Sequence, residues 1–326
     1  MLKRVLILIV LLGLTLPATT PVFSQETPTS AFPVTIKHEY GETTIDKAPE
    51  RVVAIGYTEQ DFLLALGVKP IAVRYWYGDA PNAIFPWAVE AADGAAPEVL
   101  NMPYGNLNYE AILALKPDFI SAVTSGITQE EYETLSKIAP VLPQTADYIN
   151  FGIPWQATTK LIGQAVGKSA EAQAIVERVE GLFKSAREEN PEFVGKTVAV
   201  SYMAEPGKFG FYTDQDSRGR FFTDLGFVVP QELVDIAGKS FYADLSPEKV
   251  DLLDRDLIAI LNLQFIEGGI KTLEAEPLFK RLKAVQERRV LYLEIEVENA
   301  VGFSSPLSLE FALNAVVPKL QTIFGK

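Results

Sequence analysis

The 326-residue chain contains no cysteine and a single histidine, His38. Without cysteine it has no disulfide framework and no thiolate metal site, and it offers no cysteine for lipid attachment at a signal-peptide cleavage point. One histidine cannot by itself build a histidine-rich zinc or manganese centre. These shortages exclude several kinds of metal and thiol chemistry, so we expect neither a cofactor nor a metal bound directly by protein atoms.

The motifs of common enzyme classes are missing as well. No G-x-G-x-x-G sequence follows a predicted strand, and the chain has no P-loop lysine motif. The segment GFSSP around Ser304 lacks the second glycine of a hydrolase nucleophile elbow, and a Ser-His-Asp triad would have to use His38 in the wrong chain order. We therefore predict a protein that is not an enzyme. A secreted hydrolase is the alternative from another functional class.

Basic residues are scarce relative to acidic ones. The chain has 29 Lys and Arg against 42 Asp and Glu, which gives a formal net charge of −13. A strongly acidic surface repels the phosphates of nucleic acids and of anionic membranes. We therefore exclude nucleic acid as a partner. Independently of the charge, we expect the protein to be a monomer.

Long hydrophobic runs are also missing, apart from one near the start. Lys3 and Arg4 precede an apolar run that is shorter than the roughly 20 residues needed to span a bilayer, and small residues lead up to Ser24. This order is typical of a secretory signal peptide over residues 1–24, cleaved after Ser24. An uncleaved anchor is the alternative. We expect a periplasmic protein without a lipid anchor.

Two similar halves follow the leader. Residues 52–55 and 71–73 are predicted strands around a helix, which implies a parallel β-α-β unit, and residues 196–203 and 217–227 begin the same plan again. Between residues 169 and 189, apolar side chains recur at helical spacing without a flexible linker. We predict a flexible leader at 25–33, an N-terminal α/β lobe at 34–152, a helical connector at 153–190 with its long helix at about 169–189, and a C-terminal α/β lobe at 191–326.

One helix-to-strand cassette occurs twice. The segments LNYEAILALKPDFI and LSPEKVDLLDRDLIAI align at a fixed offset, so that Glu110 matches Glu248 and Asp118 matches Asp256. Asn108 and Ser246 are the predicted N-caps, which puts each glutamate in a first helical turn, where the helix dipole favours negative charge. The helix dipole accounts for either glutamate alone, but less well for the repetition.

These segments, in this order, resemble the substrate-binding proteins of bacterial ABC importers for ferric siderophores, haem and cobalamin. The residues that carry the resemblance are ERVVAIGYTEQDFLLALGVKPIAV, the two cassettes, DSRGRFFTDLGFVVP and FSSPLSLEFALNAVVPKL. The resemblance implies the α/β class III periplasmic-binding-protein fold, with two α/β lobes joined by one long rigid helix and a ligand cleft between the lobes. It implies capture of a ferric siderophore and its delivery to an ABC permease dimer, with cobalamin or haem as alternatives. It also implies that Glu110 and Glu248 meet arginines on that permease.

The segments predicted to follow strands are rich in aromatic residues and arginine. Ligands of open α/β sheets bind at the carboxyl ends of the strands, where aromatic faces can cover an organic skeleton and arginines can contact anionic oxygens. The predicted ligand-binding residues are Tyr57, Arg74, Trp76, Tyr104, Tyr202, Tyr212, Arg218, Arg220 and Tyr242. Of Arg218 and Arg220, one could instead line the outer face of its helix. The chelator, rather than the protein, is expected to hold the iron.

Overall fold

The computed structural model of the chain describes residues 31–78 and 80–325. The predicted signal peptide at 1–24, its cleavage point after Ser24 and most of the predicted leader lie outside the described residues. Strands β1 (Val34–His38) and β2 (Gly41–Ile45) pair antiparallel and start the described fold. Their alternating buried and exposed side chains agree with the hairpin that the sequence pattern predicts.

The first half of the chain forms a parallel sheet of five strands. They are β3 (Val52–Ala54), β4 (Ala72–Arg74), β5 (Glu98–Leu100), β6 (Phe119–Ala122) and β7 (Val141–Pro143). Their order in the sheet is β5-β4-β3-β6-β7. The central strands β3, β4 and β6 are buried along their full length, as expected for a parallel sheet covered on both faces.

The second half forms a mixed sheet of five strands. They are β8 (Val198–Glu205), β9 (Lys208–Tyr212), β10 (Tyr242–Leu245), β11 (Leu257–Leu261) and β12 (Val290–Tyr292), in the order β10-β9-β8-β11-β12. Strands β8 to β10 pair antiparallel, and the others pair parallel. Tyr212 and Tyr242, predicted to lie in segments that follow strands, belong instead to the strands β9 and β10. Pro206-Gly207, with a positive φ at Gly207, forms the turn between β8 and β9 and was the available hairpin signal.

Helices cover both sheets. The α-helices are α1 (Glu59–Ala65), α2 (Val89–Ala92), α3 (Tyr109–Ala114), α4 (Gln129–Leu135), α5 (Trp155–Ala165), α6 (Ser169–Glu189), α7 (Ser217–Asp224), α8 (Gln231–Ala237), α9 (Ile270–Ala275), α10 (Pro277–Lys280), α11 (Lys283–Gln286), α12 (Ile295–Phe303) and α13 (Pro306–Phe324). Short 3-10 helices occur at Pro81–Ala83, Pro86–Ala88, Pro191–Phe193, Pro247–Leu253 and Leu263–Phe265. Across the described residues, none of the helices combines the length and apolar character needed to cross a bilayer.

The connector contains one continuous helix. Helix α6 has 21 residues and therefore spans roughly 30 Å. Its buried residues Val176, Val179 and Phe183 belong to the main hydrophobic core, and it packs against α5 and α13. Helix α13 also packs against α1 of the first half. Two helices therefore bridge the lobes, and the lobe boundaries at 34–152, 153–190 and 191–326 stay a prediction.

The repeated cassette anchors each sheet in the same way. The Asp118 carboxylate accepts the backbone N–H of Glu50 at 2.9 Å and of Arg51 at 2.8 Å, immediately before β3. The Asp256 carboxylate accepts the backbone N–H of Thr197 at 2.8 Å, immediately before β8. Each aspartate precedes the strand that pairs with the anchored one, so the repeat fixes the relative position of two central strands in each lobe.

The helical parts of the two cassettes differ. Asn108 caps α3, since its side-chain oxygen accepts the N–H of Ala111 at 3.0 Å, as predicted. The second segment, Pro247–Leu253, is a 3-10 helix, and the Ser246 side chain accepts no capping hydrogen bond from its backbone. Ser246 therefore occupies the predicted N-cap position, followed by Pro247, but its side chain does not make the capping hydrogen bond. Both Glu110 and Glu248 are exposed.

Candidate functional site

A cavity of about 580 Å³ opens between the two lobes. In the first lobe its lining residues follow the carboxyl ends of β3, β4, β5 and β6, for example Tyr57, Trp76 and Thr124. In the second lobe they come from the start of α7 and from the α12–α13 junction, including Arg218 and Ser304. A cavity of this size suits a small-molecule ligand.

Aromatic side chains form most of the apolar wall. Nine of the 21 lining residues are aromatic, and three of these, Tyr57, Trp76 and Tyr104, are predicted ligand-binding residues. The six outside the predicted ligand-binding set are Phe62, Tyr75, Phe151, Trp155, Phe241 and Phe303. Ring centroids lie 5.8 Å apart between Tyr57 and Trp76 and 5.5 Å apart between Trp76 and Phe303. The wall is therefore continuous from the first lobe to the second.

Arg218 lies in the cavity wall as one member of an ion pair. Its Nε donates to Asp216 Oδ1 at 2.7 Å, and its Nη2 donates to Asp216 Oδ2 at 2.8 Å. The guanidinium carbon stands 3.8 Å from the centroid of the Tyr212 ring. Burial opposes the charge on Arg218, but the adjacent Asp216 carboxylate outweighs it and raises the pKa of the guanidinium group. The pair is held in a defined geometry by the bidentate contact.

Arg220 lines the same cavity but forms no ion pair within the described part of the chain. Its Nε donates to the carbonyl of Asp214 at 3.0 Å, and its Nη2 donates to the carbonyls of Gly152, at 2.7 Å, and of Gln215. Burial lowers the pKa of Arg220. Carbonyl oxygens therefore orient this side chain without neutralising its charge.

Gly219 allows α7 to present both arginines. A Cβ atom at this position would lie 1.9 Å from the carbonyl oxygen of Thr213, so a larger residue would push the helix away from the preceding segment. Asp216 caps the helix by accepting the N–H of Arg218 at 2.8 Å. The first turn of α7 is thus packed closely enough to put Arg218 and Arg220 into one wall.

Four of the predicted ligand-binding residues, Arg74, Tyr202, Tyr212 and Tyr242, do not line the cavity. The expected loop position of Arg74 was wrong, because it is the last residue of β4 and is only 1% exposed. Its Nε donates to the carbonyl of Met102 at 2.5 Å, and its guanidinium carbon lies 4.3 Å from the centroid of the Tyr57 ring. Arg74 therefore supports a lining residue from behind.

The three remaining tyrosines lie in strands of the second sheet rather than in loops. Tyr202 is buried in β8 and donates to Asp244 Oδ1 at 2.6 Å, while Tyr212 is buried in β9 beneath Arg218. Tyr242 is half exposed in β10. The predicted contacts of Tyr202, Tyr212 and Tyr242 with ligand stay predictions, and the positions of Tyr202 and Tyr212 favour supporting roles.

Two fully buried carboxylates lie behind the first-lobe wall. Burial raises the pKa of Glu59 to about 7, although its Oε1 accepts the N–H of Thr124 at 2.6 Å. Burial also raises the pKa of Asp61 to about 6. The Asp61 Oδ2 atom accepts the indole N–H of Trp87 at 2.6 Å and the hydroxyl of Ser305 at 2.7 Å. Asp61 therefore joins α1 of the first lobe to the start of α13.

The histidine does not belong to this site. His38 is buried in the N-terminal hairpin, where its Nδ1 accepts the N–H of Tyr40 at 3.2 Å and its Nε2 lies 3.0 Å from Thr43 Oγ1. Burial lowers the pKa of His38, which favours the neutral ring. Within residues 31–78 and 80–325, no cluster of three or more His, Asp or Glu side chains could hold a metal ion.

A family model described as periplasmic binding protein matches residues 52–296. In sequence, the ferric-anguibactin-binding protein FatB of Vibrio anguillarum is 26% identical over 300 residues, covering 89% of this chain and 88% of the relative. In structure, a periplasmic solute-binding protein of Mycobacterium smegmatis has a TM-score of 0.79 at 33% identity, covering 90% of this chain and 99% of the other.

A further structural neighbour is PiaA of Streptococcus pneumoniae, the substrate-binding protein of an iron-uptake ABC transporter. Its complex with ferrichrome has a TM-score of 0.76 at 28% identity, covering 89% of this chain and 98% of the other. These likenesses extend over both lobes, and they agree with the two-lobed α/β architecture and inter-lobe cavity described above.

Proposed function

Because this chain belongs to the periplasmic binding protein family, we propose that it captures a ferric siderophore in the inter-lobe cavity and delivers it to an ABC permease. The proposal depends mainly on the cavity, which has a volume of about 580 Å³ and is lined by nine aromatic residues and two arginines. Aromatic faces bury the organic skeleton of a chelate at low entropy cost, and guanidinium groups donate to its oxygens. The chelator keeps the iron, so the protein needs no metal ligand of its own.

The proposal includes no catalytic step. The protein works outside the cytoplasm as a monomer, after removal of residues 1–24, and without a lipid anchor because it has no cysteine. The lone histidine is buried in the hairpin and lies outside the cavity lining.

Mass spectrometry of the exported protein would test the cleavage after Ser24, and a mass that includes residues 1–24 would contradict it.

Tryptophan fluorescence provides a direct binding test. Trp76 and Trp155 line the cavity, whereas Trp87 does not, so a bound ferric chelate should quench the emission and the quenching should saturate at one ligand per protein. The panel comprises several ferric siderophores, haem and cobalamin. The variant Trp76→Phe should lose part of the signal, with Trp87→Phe as the matched control. Saturation by haem or cobalamin, with no response to any ferric siderophore, would overturn the proposal.

We further propose that Glu110 and Glu248 dock the protein on a permease dimer. Both side chains are exposed, one in each lobe, and they occupy the same position of the repeated cassette. The Ser246 side chain, as a hydrogen-bond donor, lowers the pKa of Glu248 and so keeps this carboxylate charged. Exposed carboxylates of this kind can pair with arginines on a partner and set its orientation.

Replacement of both glutamates separates docking from ligand capture. The variant with Glu110→Ala and Glu248→Ala should bind the chelate as the wild type does but should lose transporter-dependent uptake. A matched control replaces Glu90 and Glu274, two other exposed glutamates in short helices of the two lobes. Normal uptake by the Glu110 and Glu248 variant would show that neither glutamate is needed for docking on the permease.

A further inference from the structure

The cavity has many hydrogen-bonding groups but little net charge. Among the described residues, 21 line the cavity and three of these are charged, namely Asp216, Arg218 and Arg220. Six neutral polar side chains complete the lining: Thr58, Asn101, Thr124, Thr158, Ser217 and Ser304. Such a surface can donate to and accept from oxygens of a ligand without demanding that the ligand carry a charge.

The positive charge of Arg218 is balanced by a carboxylate of the protein itself. Its Nε and Nη2 are both engaged by Asp216, which is only 4% exposed, so the two side chains form a neutral unit. Within the described residues, Nη1 of Arg218 donates no hydrogen bond, which leaves both of its N–H bonds for ligand oxygens. Arg218 can therefore recognise an oxygen atom without supplying a full positive charge.

Arg220 provides a guanidinium charge in the lining that no carboxylate of the described residues pairs directly. Even this charge is offset from nearby, since Asp214, Asp216 and Asp224 all act on Arg220 through their negative charges. Asp224 is also close to Arg187, so on the second-lobe side three carboxylates accompany three guanidinium groups and no positive excess remains. The whole chain is also strongly acidic, with a formal net charge of −13.

The first-lobe wall of the cavity also has no excess of positive charge. Arg74 lies behind the Tyr57 ring and is only 1% exposed, so it cannot reach a ligand in the cavity directly. The buried Glu59 carboxylate is in the same layer and contacts Thr124 of the lining. A multiply charged anion would thus enter a low-dielectric space without enough positive charge to balance it, which is costly.

Resting on the function proposed above, we propose that the chelate is an electrically neutral or singly charged trihydroxamate complex rather than a tricatecholate. Three monoanionic hydroxamates cancel the charge of Fe(III), whereas three dianionic catecholates leave a trianion. The aliphatic linkers of a trihydroxamate match the aromatic wall, and its carbonyl and N–O oxygens match Arg218 Nη1, Arg220 and the neutral hydroxyl and amide groups.

A charge series of ferric chelates tests this assignment. Fluorescence titrations would use ferrichrome as the neutral trihydroxamate, ferrioxamine B as the monocationic one, ferric enterobactin as the trianionic tricatecholate and ferric citrate as an anionic carboxylate complex. At physiological salt we expect both hydroxamates to bind at least about 100-fold more tightly than the tricatecholate. Binding of ferrichrome should also change little with added salt, since it involves no charge pairing.

The variant Asp216→Asn tests the charge argument itself. It keeps a side chain that can cap α7 but releases the charge of Arg218, so the affinity ratio should shift toward the tricatecholate by about tenfold. Asp235→Asn is the matched control, because it makes the same charge change on the exposed surface of α8, outside the lining and away from both arginines. Its shift should stay below about twofold.

The outcomes of these titrations distinguish an error in the chelate class from an error in the proposed function. Equal or tighter binding of the tricatecholate, or an Asp216→Asn variant with an unchanged ratio, would overturn the chelate class while leaving siderophore capture intact. Binding of haem or cobalamin alone would overturn the proposed function itself. Should Asp216→Asn fail to fold, Arg220→Gln makes the opposite change and should move the ratio about tenfold further from the tricatecholate. No movement in Arg220→Gln would overturn the charge argument.

Discussion

The Arg74 side chain carries a positive charge inside the first lobe and links two strand ends. Its Nε donates to the carbonyl of Met102 and its Nη1 lies 3.4 Å from the carbonyl of Ile55, while its Nη2 is buried without a hydrogen-bond partner in the described residues. A buried cation bound only to carbonyl oxygens is costly by itself, and the Tyr57 ring above it recovers part of this cost. Arg74 thus serves packing as well as electrostatics.

We expect Arg74→Ala to destabilise the protein by about 2 to 4 kcal/mol, because it leaves a cavity beneath Tyr57 and removes the donors to two buried carbonyls. Urea denaturation followed by circular dichroism would measure the loss. Lys47→Ala, which removes an exposed charge from the same lobe, is the control and should change stability little. An unfolding midpoint equal to that of the wild type would mean that Arg74 does not support the fold.

Asp61 makes the stability of the folded protein depend on pH. Its folded pKa is about 6, above the ordinary value of 3.8, so the native state favours the protonated form. Its contribution to stability is therefore full below about pH 4 and declines as the pH rises toward about 6. Asp61→Asn keeps an acceptor for Trp87 and Ser305 but cannot ionise.

We expect Asp61→Asn to be more stable than the wild type above about pH 6, by an amount on the order of 2 to 3 kcal/mol, and this advantage should vanish near pH 4. Denaturation curves between pH 4 and 8 would show the difference, and exposed Asp46→Asn serves as the control. A difference that does not depend on pH would mean that Asp61 titrates normally in the folded protein.

At the scale of elements, the repeated cassette joins strands as well as presenting glutamates. Asp118 and Asp256 each precede a strand and accept backbone N–H groups at the start of its neighbour. The backbone and hydroxyl donors of Thr197 lower the pKa of Asp256, so this carboxylate stays ionised near neutral pH. The repeat therefore has a structural role at its aspartates that is separate from the proposed docking role of its glutamates.

We expect Asp256→Ala to cost about 1 to 3 kcal/mol at pH 7, because the N–H and hydroxyl of Thr197 lose their acceptor. Because the folded pKa is lowered, the contribution exists above the unfolded pKa and is lost as the pH falls through the folded value. The difference from wild type should thus shrink in acid, as denaturation at pH 7 and pH 3 would show. Asp235→Ala, on the exposed surface of α8, is the control. An equal loss at both pH values would contradict the linkage.

At the scale of the whole molecule, two helices hold the lobes together. The continuous helix α6 packs against α5 and α13, and α13 packs against α1 of the first lobe. The hydrogen bond from Ser305 to Asp61 and the aromatic contacts of Phe303 with Trp76 and Trp87 join the lobes at the cavity. Closure by a wide hinge would have to break these contacts, so ligand binding is expected to move the lobes little.

Small-angle scattering should therefore give nearly the same radius of gyration, about 20 Å, for the free and chelate-bound protein. We expect the change on binding to stay below about 1 Å. A destabilising replacement such as Ser305→Ala, which removes the hydrogen bond to Asp61, provides the comparison and should enlarge the change if that bond limits opening. A large compaction of the wild type on binding would show that the lobes are hinged.

The sequence by itself determined the local elements and their plan. The helix at 169–189, the β-α-β start, the hairpin at 34–45 and the cap at Asn108 follow from periodicity, turn residues and capping chemistry, which act over a few residues. Five of the residues predicted from the sequence, Tyr57, Trp76, Tyr104, Arg218 and Arg220, line the cavity. Their location could be predicted because residues after parallel strands and at the start of a helix face one edge of the sheet.

Only the tertiary structure decided which side chains meet in the cavity and which support it. Phe151 and Phe303 are about 150 residues apart in the chain and reach one wall through packing that no local pattern records. Arg74 ends a buried strand instead of starting a loop, because strand ends depend on the pairing of β4 with β5. The charge balance between Arg218 and Asp216 likewise depends on side-chain geometry, so the net charge of the cavity, on which the proposed class of chelate rests, can be read only from the folded protein.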